Sequence, residues 1–180
     1  MTCIVGIAHK GKVYIGADSA AVQGWTRRQT ELVKVFRRGP FLMGYTTSFR
    51  MGQLLEHQLP LPEQKGADDL AFLVQEFVEA VRDVFKRHGY AKVESNNESA
   101  GQFLLGYRGK LYSIDSDYQV GLMADGFDAV GSGAEYALGA LKVSERMQPT
   151  RRIKRALEVA AHFNMAVAPP FVVKTLASGR

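Results

Sequence analysis

The sequence predicts an α+β fold, a four-layer α/β/β/α sandwich of two antiparallel sheets between two pairs of helices. Short apolar runs bounded by turn residues, typical of strands, occur at the start, in the middle and at the end of the chain. Between these groups lie two pairs of amphipathic segments with helical periodicity. Two packed sheets with a helical pair on each outer face would bury every apolar stripe.

The first nineteen residues predict a hairpin whose start is held in the core. Apolar runs at 3–8 and 13–15 flank a turn at 9–11, and the second strand runs on to Asp18. Runs with so few polar residues are typical of strands that are buried on both faces. Because the returning strand of a hairpin ends beside the start of the first, we expect Asp18 to lie near Thr2.

The segments that follow predict loop, strand and helix in turn. A polar loop over 23–31 leads to an apolar run over 32–36 that only Lys34 interrupts. A strand over 41–45 comes next, and the hydroxyl residues at 46–48 are suitable caps for a helix. The predicted inner face of this first helix consists of Met51, Leu54 and Leu55.

The second predicted helix has the clearest periodicity. It begins at Asp68 and Asp69, and Gly89 lies past its end. The polar segment 93–100 that follows predicts a mobile loop. The apolar positions of the helix follow the i, i+3, i+4, i+7 pattern and are Leu70, Leu73, Val74, Phe77, Val78, Val81, Val84 and Phe85.

The second half of the chain predicts a further group of strands. A hairpin pairs 103–107 with 111–114, and short strands follow near 118–120 and 128–130. A closing strand over 171–176 comes after the last helix.

Two more helices precede that closing strand. The sequence Gly131-Ser132-Gly133 opens the third helix, and Pro149 and Thr150 begin the fourth. Their predicted inner positions are Tyr136, Leu138 and Leu141, then Ile153, Leu157, Ala160, Ala161 and Phe163.

Length and composition predict one domain spanning residues 1–180. An apolar fraction of 46% in 180 residues is typical of a globular protein with a sizeable core. No apolar run approaches the ~18 residues of a membrane span and no signal peptide is recognisable, so the expected location is the cytoplasm. Cys3 is the only cysteine, which excludes an internal disulfide and a multi-cysteine metal site. We expect its side chain to be buried and to pack in the core.

The net charge of +5 raises the question of nucleic-acid binding. Basic residues cluster at 27–28, 37–38 and 151–155. No nucleic-acid motif accompanies them, and the last cluster opens a predicted helix whose apolar face includes Ile153. We therefore interpret it as a solvated helix face, and nucleic acid is not an expected partner.

Thr2 is the candidate nucleophile. After removal of Met1, this one residue would carry a hydroxyl and a free α-amine, whose reference pKa of about 7.7–8.0 suits a base near neutral pH. Nucleophile and base would then be the same residue. The alternative is that Met-Thr is simply a common way for a protein to begin.

Lys34 is the second unusual residue, because a lysine inside an apolar run is costly to bury unless it meets a carboxylate. Asp18 is the candidate partner. A lysine that points to solvent from an edge strand is an alternative that the spacing supports equally.

Together these features resemble the N-terminal-nucleophile hydrolases of the proteasome β-subunit type, and most closely the HslV peptidases. The resemblance covers nearly the whole chain. It rests on Thr2 before an apolar strand, the turn at Asp18, Lys34-Val35, the strand that ends near Gly44, and Gly131-Ser132-Gly133 before a helix. Each feature alone is weak, but their joint spacing is specific.

The resemblance implies a role for each of these residues. Thr2 would be the nucleophile, and Lys34 paired with Asp18 would favour the deprotonated forms of its hydroxyl and amine. Ser132 would position the amine. The N–H of Thr47, where the family usually has a glycine, would meet the oxyanion. Tyr45 would line the pocket for the substrate side chain before the cleaved bond.

The resemblance also implies an activity and an assembly. The expected activity is that of a threonine endopeptidase that cleaves unfolded proteins through an acyl-enzyme, with no metal or organic cofactor. The expected assembly is a homo-oligomeric double ring with its active sites inside, and an ATP-driven unfoldase is the usual partner of this type. Where proteasome subunits keep an Asp and a Ser near the end of the last helix, this chain has Asn164 and Val167, and HslV-like subunits also lack that pair.

Two alternatives stay open. An inactive ring or shell subunit would keep the fold for assembly, and a retained Met1 and the β-branched Thr47 would favour it. The intact set of Thr2, Asp18, Lys34 and Ser132 favours the enzyme. An amidase acting on small amides would share the nucleophile.

Overall fold

The computed structural model describes residues 2–177 of the chain. Met1, whose removal the catalytic hypothesis requires, lies outside the described residues. The helices are α1 (Phe49–His57), α2 (Asp69–Phe72), α3 (Val78–Arg87), α4 (Ala134–Val143) and α5 (Pro149–Phe163), and a π-helical turn (Leu73–Phe77) joins α2 to α3. The strands are β1 (Ile4–His9), β2 (Lys12–Ala17), β3 (Ala20–Gln23), β4 (Thr26–Gln29), β5 (Val35–Arg38), β6 (Phe41–Tyr45), β7 (Lys92–Glu94), β8 (Asn97–Ser99), β9 (Phe103–Tyr107), β10 (Lys110–Ile114), β11 (Val120–Leu122), β12 (Phe127–Val130) and β13 (Val172–Ala177).

The fold is a mixed α/β structure with two main antiparallel sheets. One sheet has the strand order β12-β1-β2-β13, and the other has the order β11-β10-β9-β6-β5. In the first sheet β1 is central, with Ile4 opposite Ala17 of β2 on one side and opposite Val130 of β12 on the other. The start of the chain is therefore held by hydrogen-bonded neighbours on both sides.

The apolar residues form three clusters that account for how the elements pack. One cluster draws Ile4 and Ile15 from the first sheet and Leu42 and Leu104 from the second, so it lies between the sheets. A second cluster joins the second sheet to α1, the π-helical turn and α3, and a third joins the first sheet to α4 and α5. Burial of these side chains is the main stabilising contribution, at about 25 cal/mol for each Å² of apolar surface removed from water.

Two segments that the sequence predicts as polar loops are hairpins. Residues 20–29 form the β3–β4 hairpin, and the segment predicted to be mobile around residues 93–100 contains the β7–β8 hairpin. The second hairpin is anchored by Glu98, whose carboxylate accepts a hydrogen bond from Arg82 of α3 and forms an ion pair with Lys86 of the same helix. Polar hairpins of this kind escape a search for apolar alternation, because most of their side chains are exposed or only partly buried.

The second predicted helix exists, but its inner face is partly wrong. Leu70 and Val74 are 44% and 48% exposed, whereas Phe72 is buried. The π-helical turn adds a residue to the helical repeat, so the positions before it rotate out of phase with those after it. The predicted positions from Val78 onwards are all buried.

Two further expectations about helices are corrected. Arg152, which we assigned to a solvated face, is buried; its guanidinium donates to the carbonyl of Leu141 at 2.7 Å and lies over the ring of Phe127. It thereby ties α5 to the end of α4. Tyr136 and Phe163, predicted to face inward, are exposed and stack on each other.

Among residues 2–177, no helix combines the length and the hydrophobicity needed to cross a membrane.

Gly131 allows β12 to approach the start of the chain. Its φ of +100° favours glycine, and a Cβ at this position would clash with the carbonyl of Thr2. We expect Gly131→Ala to lower the free energy of unfolding by about 2 kcal/mol or more, measured by urea denaturation. Gly139→Ala is the matched control: it lies in α4 with open space around it, and should stabilise the protein by about 0.5–1 kcal/mol. Similar effects of the two substitutions would contradict this account of the turn.

Candidate active site

The β1–β2 hairpin brings Thr2 and Asp18 to the same end of the first sheet, as the sequence predicts. Thr2 immediately precedes the β1 region and is buried, and Asp18 directly follows β2. The N–H of Cys3 donates to Asp18 Oδ1 at 3.0 Å, and the N–H of Asp18 donates to the carbonyl of Cys3 at 3.3 Å. The carboxylate is therefore fixed one residue away from the candidate nucleophile.

Lys34 completes a buried ion pair below the start of the chain. Its side chain is 2% exposed, and its ammonium donates to Asp18 Oδ1 at 2.9 Å and to the carbonyl of Ala20 at 2.7 Å. The second oxygen of Asp18 accepts the N–H of Ala20 at 2.9 Å. The alternative in which Lys34 points to solvent is wrong. Within the apolar run 32–36, the exposed residues are instead Leu32 and Val33, because the strand begins only at Val35.

Burial shifts the pKa values of the two ionisable side chains next to Asp18 in opposite directions. It lowers the pKa of Lys34, and the nearby Asp18 carboxylate opposes this change. It raises the pKa of the Cys3 thiol to about 12, with the Asp18 carboxylate acting in the same direction. Cys3 is fully buried in the cluster with α4 and α5, so at neutral pH it is a protonated packing residue, as expected.

Ser132 contacts the backbone of Thr2 from the turn between β12 and α4. The Thr2 nitrogen donates to Ser132 Oγ at 3.2 Å, and the N–H of Gly133 donates to the Thr2 carbonyl at 3.3 Å. Asn164, at the end of α5, donates to the carbonyl of Ser132 at 2.6 Å. The sequence marked Asn164 only as a departure from the proteasome pattern, and its function as an anchor of this turn was missed.

Thr47 lies in a strained turn at the edge of the site. Its φ is +65°, and the N–H of Ser48 donates to the carbonyl of Thr46 at 2.7 Å, which makes a γ-turn centred on Thr47. A β-branched residue rarely adopts this conformation, and glycine adopts it at little cost. Within residues 2–177 the N–H of Thr47 donates no hydrogen bond to the protein, so a substrate oxygen can accept it.

These residues surround a cavity of about 830 Å³. Thr2, Lys34, Tyr45 and Thr47 line it, so the structure brings together four of the six predicted site residues at one surface. Asp18 and Ser132 support this surface through the contacts described above. Tyr45 is nearly buried and packs against Gly52 of α1, and burial raises the pKa of its hydroxyl to about 12, with Glu56 adding to the effect.

The remaining wall of the cavity was missed by sequence reasoning. It consists of the β3–β4 hairpin and the start of α1, and includes Arg28, Phe49 and Arg50. The signal for this hairpin is Gly24, which adopts a φ of +56° at its tip, next to the fully exposed Trp25. The sequence offers no apolar alternation that would have distinguished it from a loop.

Comparison with solved structures identifies the fold. BPH of Thiobacillus denitrificans, solved in complex with epoxomicin, has a TM-score of 0.82 at 22% identity, over 99% of this chain and 100% of BPH. The eukaryotic HslV of Trypanosoma brucei has a TM-score of 0.69 at 16% identity, over 98% of this chain and 99% of that protein. The chain has the fold of the HslV-type N-terminal-nucleophile hydrolases.

Other comparisons complete this result. A Gly-1 mutant of Anbu from Hyphomicrobium sp. strain MC1 is also similar in structure to this chain, with a TM-score of 0.70 at 15% identity, over 99% of this chain and 84% of that protein. No protein-family model matches the sequence, and no curated protein is significantly similar to it. The resemblance stated from the residues is thus confirmed for the fold.

The ion pair predicts a large effect of removing one charge. We expect Asp18→Asn to lower the free energy of unfolding by about 3 kcal/mol, because Lys34 would keep a buried charge without its counter-ion. The measurement is urea denaturation at neutral pH. Asp125→Asn is the control, because Asp125 pairs with Lys142 at 3.5 Å on the surface and should contribute less than about 0.5 kcal/mol. A loss at Asp18 no larger than that at Asp125 would contradict a buried, charged pair.

Proposed function

We propose that this chain is a threonine endopeptidase that cleaves unfolded protein chains through an acyl-enzyme on Thr2, after removal of Met1. The observation that carries the proposal is the buried Lys34–Asp18 pair beneath Thr2 at the wall of the cavity. Burial of a lysine costs free energy, and Lys34 is too buried to act as a surface charge. A positive charge next to an N-terminal threonine favours the deprotonated forms of its amine and hydroxyl, which is a functional reason to keep a buried lysine.

In the proposed first step, the α-amine of Thr2 accepts the proton of the Thr2 hydroxyl as its oxygen attacks the substrate carbonyl. The positive charge of Lys34 favours the deprotonated hydroxyl and keeps the amine unprotonated before attack. Ser132, already hydrogen-bonded to the Thr2 nitrogen, holds that nitrogen in place. The N–H of Thr47 donates to the oxyanion that forms.

In the second step, the tetrahedral intermediate collapses and the peptide C–N bond breaks. The protonated amine of Thr2 gives its proton to the leaving nitrogen, and the acyl group stays on the hydroxyl oxygen as an ester. A water molecule then attacks this ester, with the same amine as its base, and releases the free carboxylate and the regenerated threonine. The proton that the Thr2 hydroxyl gives up leaves with the amine product, and a proton of the attacking water replaces it on the Thr2 oxygen, so the cycle consumes one water molecule and no other reactant.

The proposed architecture and assembly are those of the resembled family. We propose a single domain over residues 1–180 with four layers, helices α1 to α3 and the pair α4 and α5 outside the two sheets. The three apolar clusters support this order. We also propose a homo-oligomeric double ring, with an ATP-driven unfoldase as partner, because enclosed sites would restrict cleavage to unfolded chains.

The second candidate is an inactive shell subunit. The strained, β-branched Thr47 favours it, since its side chain lies at the cavity. The position of Thr47 at the cavity and the hydrogen bonds that hold Lys34 and Asp18 together favour the enzyme.

Substitution of Thr2 separates these candidates. We expect the purified wild-type protein to have lost one methionine by intact mass and to cleave fluorogenic peptides, whereas Thr2→Ala should cleave them about a thousandfold more slowly or not at all. Thr2→Ser keeps both hydroxyl and amine and should retain measurable turnover. Circular dichroism would verify that both variants are folded.

Equal turnover by wild type and Thr2→Ala would exclude Thr2 as the nucleophile. A retained Met1 in protein from its natural host, together with no turnover, would instead support the shell subunit. Epoxomicin, which is bound by the related BPH, offers an independent probe: we expect it to bind the wild-type cavity and to block turnover of the peptides.

A further inference from the structure

The cavity has a distinctive charge. Arg28, Lys34 and Arg50 line it, and none of the described residues at its surface carries a carboxylate. The charge of Lys34 is balanced by Asp18 at 2.9 Å beneath the surface. The two arginines therefore give the cavity an excess of positive charge that is independent of the catalytic pair.

Neither arginine is neutralised by a carboxylate in the part of the chain that the structure describes. Within residues 2–177, Arg28 and Arg50 have no ion-pair partner, whereas Arg82, Arg108 and Arg155 each pair with a carboxylate. Both side chains are exposed, so they are available to a ligand. A guanidinium binds a carboxylate through two parallel hydrogen bonds, so it is well suited to recognise one.

The two arginines come from different elements that meet at the cavity. Arg28 lies opposite Ala21 in the β3–β4 hairpin, and alternation puts it on the same face as Gln23 and Thr26, which also line the cavity. Arg27 belongs to the other face and does not line the cavity. Arg50 lies in the first turn of α1, three residues after Thr47, and that turn has no acidic residue.

From this arrangement we infer that the site selects peptides that carry an aspartate or glutamate immediately before the cleaved bond. The inference rests on the proposed peptidase function and names its substrate class. A substrate carboxylate would lie near Arg28 and Arg50 while its scissile carbonyl faces Thr2. The positive end of the α1 dipole adds to the attraction.

The test uses three fluorogenic peptides that differ only in the residue before the cleaved bond, which is Glu, Gln or Leu. We expect kcat/KM for the Glu peptide to exceed that for the Gln peptide by about tenfold at low ionic strength, and the ratio to fall as salt is added. In the double variant Arg28→Gln/Arg50→Gln the ratio should fall to about one. Arg27→Gln removes the same charge from the outer face of the same hairpin and should keep the wild-type ratio.

A second measurement does not depend on turnover. Binding of the same three peptides to Thr2→Ala, followed by fluorescence anisotropy, should show the same preference for Glu and the same dependence on Arg28 and Arg50. Equal or tighter binding of the Gln or Leu peptide, or a preference unchanged in the double variant, would overturn the inference. If the Glu peptide binds selectively but wild type cleaves none of the peptides, the inference stands and the proposed peptidase function fails.

Discussion

The buried ion pair between Lys34 and Asp18 is the constraint on which the rest of the structure depends. Both residues are nearly inaccessible, and they are held by several hydrogen bonds: the Cys3 and Ala20 N–H groups donate to Asp18, and Lys34 donates to Asp18 and to the Ala20 carbonyl. A pair this deep gains less from Coulomb attraction than it loses in hydration unless such partners are complete. The start of β1, the end of β2 and the approach to β5 are therefore locked to one another, which fixes Thr2 at the cavity.

Two residues with left-handed backbone conformations lie close to Thr2 or line its cavity, namely Gly131 and Thr47. Gly131 adopts its left-handed conformation without strain and lets the turn before α4 reach the Thr2 carbonyl. Thr47 does not, since a β-branched residue at a φ of +65° is unfavourable by about 1–2 kcal/mol. The Thr46 hydroxyl anchors this turn by bonding to the Gln102 carbonyl and to the Thr47 hydroxyl. Strain of this kind persists where surrounding contacts enforce it, and it collects at functional sites.

The sequence was informative where burial determines the pattern and uninformative where polar contacts do. The β1–β2 hairpin, the second half of the long helix and the position of Asp18 follow from apolar periodicity and hairpin geometry. Spacing could not decide whether Lys34 was buried, because that depends on Asp18 and the Ala20 carbonyl, which lie apart in sequence. Arg152 was misassigned for the same reason, since its acceptor is a carbonyl of another helix. The β3–β4 hairpin shows no apolar alternation in the sequence, so one wall of the site emerged only from the structure.

The pH dependence of kcat/KM for a neutral peptide tests the central claim most directly, that Lys34 acts as a buried cation on the amine of Thr2. The account predicts a bell-shaped profile. The rising limb should lie below the reference α-amine pKa of about 7.7–8.0, because the nearby positive charge disfavours protonation of the amine. The falling limb should lie below the usual lysine pKa of about 10.4, because burial lowers the pKa of Lys34. A rising limb at or above pH 8, or activity that continues unchanged beyond pH 10.4, would contradict it.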